Sequence, residues 1–352
     1  MTFVELRSDT FTLPTPRMIE AMATAELGDD TYGEDPTVNE LERQVADLLG
    51  KEAACLVPSG TMGNLASILA HCARGTKAIV GDQSDIYVYE AGGASVCGGV
   101  VYHPIANQPD GTLALEDIEA AFPANPADPQ FALPSLLCLE NPQNRCGGRP
   151  LGLDYLADVS ALAADRGIPV HLDGARIFNA AIAMGVPASR IARYADSVQM
   201  CLSKGLGAPV GSMVAGSGAF VANVRRIRKM LGGGMRQAGV LAAAGLVALA
   251  DMADRITEDH ENARLLAEGL ARIPGYAVDP VAPRTNMVFF ALTGPGLGIP
   301  SFTQAARDKG VLLAGLAPDR VRLATHSGFT KSEVDTTLAA LRAIAEQAAA
   351  AA

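Results

Sequence analysis

Three short segments of the chain combine residue types that could do chemistry together. Cys201-Leu-Ser-Lys204-Gly-Leu-Gly207 sets a lysine among small residues just past an apolar run, where its amine can serve as a nucleophile. Val170-His-Leu-Asp173-Gly-Ala-Arg176 ends another apolar run in a carboxylate, with an arginine three residues on. Ser59-Gly60-Thr61-Met-Gly63 joins a third apolar run to a helical pattern, and its small residues let backbone N–H groups face an anion at a helix N-terminus. No Gly-Lys-Ser/Thr follows, so the turn is not a Walker loop. Taken singly, these are a solvated lysine, an Asp-Gly turn and a Gly-rich connection. Taken jointly they fit one cofactor, pyridoxal phosphate, which needs a lysine for its imine, a carboxylate that keeps the pyridine nitrogen protonated, and a cradle for its phosphate.

Such groups must stand on one rim of a sheet, because ligands of open α/β sheets bind outside the carboxyl ends of the strands. From about residue 37 to 216, short β-rich apolar runs alternate with helical patterns, the order of a parallel sheet covered on both faces. Strands are expected at 53–57, 78–82, 100–103, 135–140, 168–173, 197–202 and 212–215, which makes seven. Thr37-Val-Asn-Glu40 reads as a capping box, Leu41, Val45, Leu48 and Leu49 fall on one helical face, and Gly50 supplies the stop. The Ala/Leu-rich stretch 237–252 reads as one buried helix. Beyond it helices are expected near 258–271, 301–309 and 331–352, with strands near 286–291 and 321–323. The expected fold class is α/β, with an N-terminal segment (1–20), a large domain built on a mainly parallel seven-stranded sheet (21–252) and a smaller C-terminal α+β domain (253–352).

Composition narrows the function classes. The chain has 352 residues, with 28 Lys and Arg against 38 Asp and Glu for a net charge of −10, and it has no polybasic run. Nucleic acid and anionic membrane surfaces are therefore not expected partners. No uninterrupted apolar stretch reads as a transmembrane helix, and the first residues lack the order of a secretion signal. The six cysteines form no C-x-x-C pair and the five histidines do not fall at ligand spacing, so no metal site is expected. Dispersed cysteines of this kind read as buried small hydrophobes in a reducing, cytoplasmic setting.

Longer segments then match a known family. Leu6-Arg-Ser-Asp-Thr10, Gly28-Asp-Asp-Thr-Tyr-Gly-Glu-Asp-Pro-Thr37, Pro58-Ser-Gly-Thr61, Tyr89-Glu-Ala-Gly-Gly93, His171-Leu-Asp-Gly-Ala-Arg-Ile-Phe-Asn179, Leu202-Ser-Lys-Gly-Leu-Gly207, Lys229-Met-Leu-Gly-Gly-Gly-Met-Arg-Gln237 and Val321-Arg-Leu-Ala-Thr-His326 span nearly the whole chain. The sequence closely resembles the low-specificity L-threonine aldolases, pyridoxal phosphate enzymes of the aspartate-aminotransferase-like fold type I. The resemblance implies reversible cleavage of L-threonine, L-allo-threonine and related L-β-hydroxy-α-amino acids to glycine and an aldehyde. It makes Lys204 the imine-forming lysine and Asp173 the partner of the pyridine nitrogen, and it gives the phosphate to Ser59, Gly60 and Thr61. Ser8, Arg176 and Arg322 match positions around the substrate carboxylate, with Arg176 also close to the cofactor, and Tyr32 matches a substrate contact. Lys229 and Arg236 lie in a loop that in the family reaches a neighbouring subunit's cofactor. The implied assembly is a homotetramer, a dimer of dimers with shared active sites.

Two positions depart from the family pattern. Asp85 stands where the family has a histidine stacked on the cofactor ring, and Gln143 stands for a second histidine near the substrate hydroxyl. With Lys204 they are the candidate catalytic positions, and Asp85 would also face the cofactor. A glutamine cannot act as a base, and an ordinary aspartate, with a pKa of about 3.9, is a weak one at neutrality unless burial raises it. Three readings stay open: Asp85 or a held water takes the hydroxyl proton; a different β-hydroxy amino acid is preferred; or another reaction leads, such as β-elimination or racemisation on the same scaffold. A binder that has lost turnover would not need Lys204. Tyr87 and Tyr89 read as packing aromatics and Cys146 as a loop residue. His171, two residues before Asp173 and on the same strand face, either orients that aspartate or fills the core.

Overall fold

The computed structural model describes residues 3–279, 284–294, 298–316 and 318–351. In chain order its strands are β1 (Val4–Glu5), β2 (Ala53–Val57), β3 (Lys77–Gly81), β4 (Val101–Ile105), β5 (Pro134–Glu140), β6 (Val170–Asp173), β7 (Ser197–Cys201), β8 (Ser212–Gly216), β9 (Tyr276–Ala277), β10 (Met287–Leu292), β11 (Val311–Leu312), β12 (Ala314–Leu316) and β13 (Arg320–Ala324). The chain divides into two compact units, Pro14–Ala250 and Met1–Leu13 with Asp251–Ala352.

The larger unit holds the expected seven-stranded sheet, in the order β2-β8-β7-β6-β5-β3-β4. Only β8 runs against the others: it pairs antiparallel with β2 and β7, and the pairs from β7 through to β4 are parallel. Every residue of β6, β7 and β8 is buried, as befits strands covered on both faces. Observed ends differ from the expected ones by a residue or two, the usual fraying of an assignment. The register matters more for function. Glu140, Asp173 and Gln199 are successive partners across β5, β6 and β7, and two residues earlier so are Cys138, His171 and Ser197. Side chains two apart on a strand share a face, so these rows stack toward the carboxyl rim.

The first long helix, Pro36–Leu49, starts differently from the capping box expected at Thr37. Pro36 has no N–H and a helix-ready φ, so it takes the first helical position and Asp35 becomes the cap. One oxygen of Asp35 accepts from the Val38 N–H at 3.0 Å, and the other accepts from Gly28 and Gly239 at 3.2 and 2.8 Å. Thr37 instead donates its hydroxyl to the Glu26 carbonyl. Gly50, at φ 64°, closes the helix as expected. The Ala/Leu-rich stretch forms the helix Gly239–Asp251.

The smaller unit is α+β, with a four-stranded antiparallel sheet β12-β13-β10-β9. Tyr276, Phe290 and Phe302 form its aromatic centre, with ring centroids 5.2 to 6.0 Å apart in tilted and edge-on pairs. The first residues do not stand apart as a segment over 1–20. β1 adds in parallel to β11, and His326 Nε2 meets the Glu5 carbonyl at 3.0 Å, which ties residues up to Leu13 to this unit.

Asp35 holds three backbone N–H groups with one fully buried carboxylate. Asp35→Ala strands all three, and should lower stability by roughly 3 kcal/mol in denaturant unfolding, whereas Asp35→Asn should lose about half of that. Equal midpoints for wild type and Asp35→Ala would show that the cap is not holding these elements.

Candidate active site

A cavity of about 150 Å³ opens at the carboxyl rim of the large sheet. Ser59, Gly60, Thr61, Asn64, Asp85, Tyr89, Glu90, Asp173, Gln199, Cys201 and Lys204 line it. The lysine, the aspartate and the Gly-rich turn found in three distant parts of the sequence therefore share one space. Asp173 is the last residue of β6, and Lys204 follows β7 by three residues. Between them the helices Ile177–Met184 and Ala188–Ala192 complete the crossover that returns the chain to the same rim.

Asp173 is almost fully buried. Its Oδ1 accepts from the Ala175 N–H at 3.0 Å and its Oδ2 from Asn64 Nδ2 at 2.9 Å. Burial pushes this carboxyl up from its ordinary range, while the Lys204 ammonium draws it back. Other acids crowd it. Glu90, held by Asn64 Nδ2 at 2.8 Å, is pushed up to about 9, first by burial and then by the Asp173 charge. Glu140 is raised well above the usual carboxylate range by burial, then by Asp85 and Asp173. Its two oxygens accept from the backbone N–H groups of Asp85 and Asn144 at 2.7 and 2.8 Å, so it fixes the Asp85 segment to β5. The half-buried Asp85 takes a further bond from Asn144 Nδ2 at 3.0 Å. For Lys204, burial favours the neutral amine, but Cys201, Asp173 and Asp85 outweigh it and hold the ammonium above the ordinary 10.5, with Arg176 opposing them. The amine must shed that proton before it can attack a carbonyl.

Ser59, Gly60 and Thr61 form the start of the helix Gly60–His71, with Ser59 Oγ accepting from the Met62 N–H at 3.2 Å. A Cβ on Gly60 would lie 2.9 Å from Cys201 Sγ and 3.2 Å from Gln199 Nε2. The backbone here approaches the sheet more closely than a side chain permits, and the helix end with its outward N–H groups suits a phosphate monoester. Beneath it Gln199, fully buried, gives its Nε2 to Cys201 Sγ at 3.3 Å and leaves Oε1 without a protein donor.

The other expected site residues are not among those that line this cavity. Gln143 does not line the cavity: its Nε2 donates to the Gln83 carbonyl at 2.9 Å and its Oε1 accepts from the Cys146 N–H at 2.7 Å, so the amide is committed at both ends to loop backbone. Tyr32 and Lys229 border a second hollow of about 560 Å³ with Asp30, Arg225 and Arg228. Arg236 is stitched to it, pairing with Asp29 at 3.0 Å while its carbonyl accepts from the Asp30 N–H. Arg176 is buried just before the helix Ile177–Met184, near enough for its charge to act on Lys204. Ser8 and Arg322 belong to the smaller unit, where Ser8 caps a short 3-10 turn and Arg322 Nη2 donates to the carbonyl of neighbouring Arg7 at 3.1 Å. Asn64, Glu90 and Gln199 line the cavity and Glu140 holds the Asp85 backbone, and none of the four was singled out from sequence. Glu90 did lie in the quoted run beginning at Tyr89, and Asn64 lies one helical turn past Gly60. The thiols of Cys55, Cys72, Cys138 and Cys201 are buried as expected, while Cys97 is exposed and Cys146 half-buried. Among the described residues no group of three or more His, Cys, Asp or Glu could hold a metal, and no helix is long and apolar enough to cross a membrane.

Comparison with known proteins gives the same direction. The beta-eliminating lyase family matches residues 5–293. The chain is 48% identical over 343 residues to a probable low-specificity L-threonine aldolase 2 of Arabidopsis thaliana, covering 97% of each chain. It is 43% identical over 340 residues to the low specificity L-threonine aldolase of Escherichia coli, covering 97% of this chain and 98% of that one. A Leishmania major threonine aldolase structure superposes with a TM-score of 0.81 at 22% identity, covering 97% of this chain and 99% of that one, which shows the shared fold.

Glu90 gives a test of the site's electrostatics. Its folded pKa, about 9, lies above the ordinary 4.5, so the folded state keeps a proton that the unfolded state releases. Its stabilising contribution is full below about 4.5 and is lost as pH rises toward 9. Glu90→Gln keeps an acceptor for Asn64 and removes the titration. The melting temperature of ligand-free Glu90→Gln should match wild type near pH 4.5 and exceed it increasingly toward pH 9. A gap independent of pH would contradict this.

Proposed function

Because the chain belongs to the beta-eliminating lyase family and, within it, to the low-specificity L-threonine aldolases, we propose that it cleaves L-threonine, L-allo-threonine and related L-β-hydroxy-α-amino acids reversibly to glycine and an aldehyde. Its cofactor is pyridoxal phosphate. The observation that carries this reading is the single cavity lined by Lys204, Asp173 and the turn Ser59-Gly60-Thr61. The residues suit the cofactor by their own chemistry: a primary amine, a buried carboxylate facing it, a cradle that a Cβ on Gly60 would fill, and the unpartnered buried Oε1 of Gln199.

When bound, pyridoxal phosphate supplies an electron sink for the pair left at Cα as the bond to Cβ breaks. Lys204 binds the cofactor through Nζ. Asp173 holds a proton on the pyridine nitrogen, and Ser59, Gly60 and Thr61 hold the phosphate through hydroxyl and backbone groups. Arg176, Arg322 and Ser8 orient the substrate carboxylate, a task suited to a guanidinium fork that keeps its charge at any working pH. Asp85, on the cavity wall, accepts the β-hydroxyl proton directly or through a held water. Gln143 takes no part in that transfer and positions the Gln83 backbone two residues before Asp85. Tyr32 and Lys229 line a hollow distinct from the Lys204 cavity and Arg236 pairs with Asp29 beside it, which suits a role toward a neighbouring subunit in a homotetramer of shared sites. The dispersed cysteines, four of them buried, suit a reducing, cytoplasmic setting.

Product analysis with L-threonine, L-allo-threonine and L-phenylserine tests the reading. Glycine plus the matching aldehyde is expected, and Lys204→Ala should reduce turnover by roughly three orders of magnitude or more. Ammonia with a keto acid would indicate β-elimination, inverted substrate would indicate racemisation, and either as the main product would overturn the proposal.

A further inference from the structure

We propose that Asn64 is the positioning residue of this site, its amide locked by a one-way chain of hydrogen bonds from His71 through Ser197 and His171 so that it aims the Asp173 carboxylate. The inference rests on the reading above that Asp173 serves the cofactor's pyridine nitrogen. It goes further by naming what fixes Asp173.

Asn64 lies on the first turns of the helix Gly60–His71, buried to 2% exposure. Its Nδ2 has two protons and two acceptors, Asp173 Oδ2 at 2.9 Å and Glu90 Oε1 at 2.8 Å. The amide oxygen is thus the end that lies 3.1 Å from His171 Nε2, and because an oxygen only accepts, Nε2 carries the imidazole proton. His171 is fully buried and burial holds it neutral, down to about 3, which leaves Nδ1 bare. Nδ1 accepts from Ser197 Oγ at 2.9 Å. With its one proton so used, Ser197 Oγ accepts from His71 Nε2 at 2.8 Å. His71 is stacked on Phe220 at 4.5 Å between centroids, which anchors the far end.

Every donor in the chain points toward Asp173. Turning the Asn64 amide over would set its oxygen 2.9 Å from Asp173 Oδ2, whose charged form the Lys204 ammonium favours, and the contact with Asp173 fixes the direction of the network. Its members meet because of register. His171 and Asp173 are two apart on β6, Ser197 is the direct partner of His171 on β7, and Asn64 and His71 are seven apart on one helix face. The sheet and the helix thus bring together four polar residues, none of which except His171 was marked by sequence reading. His171 orients the aspartate, but through Asn64 and not by touching it.

The experiment uses holoenzyme carrying Asn64→Ala, Asn64→Ser, His171→Leu, His171→Gln, Asn64→Ala with His171→Leu, and Asp173→Asn as the reference. The readouts are the visible circular dichroism of bound pyridoxal phosphate, which reports how firmly the ring is oriented, and the rate at which the cofactor is lost to a trap, with the melting temperature as a check on folding. Asn64→Ala should at least halve the visible dichroism and speed cofactor loss about tenfold, the scale of one buried bond to a charged group. His171→Leu should act in the same direction, and His171→Gln, whose amide nitrogen reaches the place of Nε2, should restore most of the signal. The double variant should be no worse than Asn64→Ala alone, since both act through one network. If Asn64→Ala does not fold, Asn64→Ser and the His171 pair decide by the same readouts. Wild-type dichroism and retention in the folded Asn64 and His171 variants, while Asp173→Asn changes both, would overturn the positioning role and leave the reading of Asp173 standing. Wild-type values in Asp173→Asn as well would overturn that reading itself.

Discussion

A carboxylate at the end of a buried strand is the constraint on which the site depends. Taking the Asp173 charge out of water costs several kcal/mol unless donors and a counter-charge replace the solvent. The chain supplies the Ala175 and Asn64 N–H groups and the Lys204 ammonium. Glu90 and Glu140 crowd the same rim, and burial with mutual repulsion raises both, so the cluster cannot ionise together. The ammonium that draws Asp173 back toward its charged form is therefore the element that decides where the negative charge resides.

The sheet makes this arrangement affordable to build from distant segments. In-register pairing of β5, β6 and β7 lays Glu140, Asp173 and Gln199 side by side, and Lys204 follows β7 on the same rim. The helix Gly60–His71 does two jobs along its length. Its first turn offers backbone donors over Gly60, and the face behind that turn carries Asn64 and His71 against the strands. Gly60 matters for both, because a side chain there would collide with Cys201 and lift the helix from the sheet.

Much of this was legible in the residues. Runs of apolar and β-branched residues marked all seven strands of the large sheet, because strands buried on both faces must be nearly continuously apolar, and even the partly exposed edge strand β4 keeps a short run. Lys204, Asp173 and the Ser59-Gly60-Thr61 turn stood out because each ends such a run. What stayed hidden depends on pairing between segments. Asn64 is an ordinary helix residue until β6 places His171 and Asp173 beside it, and Glu140 is simply a strand end until the Asp85 backbone docks on it. Gln143 shows the complementary case: its position in a motif pointed to the substrate, while both ends of its amide bond to loop backbone. The capping box at Thr37 failed because Pro36 moved the cap to Asp35, whose other partners lie at Gly28 and at the distant Gly239. The grouping of the first residues with the C-terminal unit rests on the short β1–β11 pair, too brief to show a periodic pattern.

The central claim is that the amine of Lys204 and the carboxylate of Asp173 address one cofactor. Borohydride reduction of the yellow protein, followed by proteolysis and mass spectrometry, tests it most directly. The account predicts one pyridoxyl group per chain, on Lys204 alone. A colourless protein after incubation with pyridoxal phosphate, or a label on another lysine with residue 204 unmodified, would contradict it.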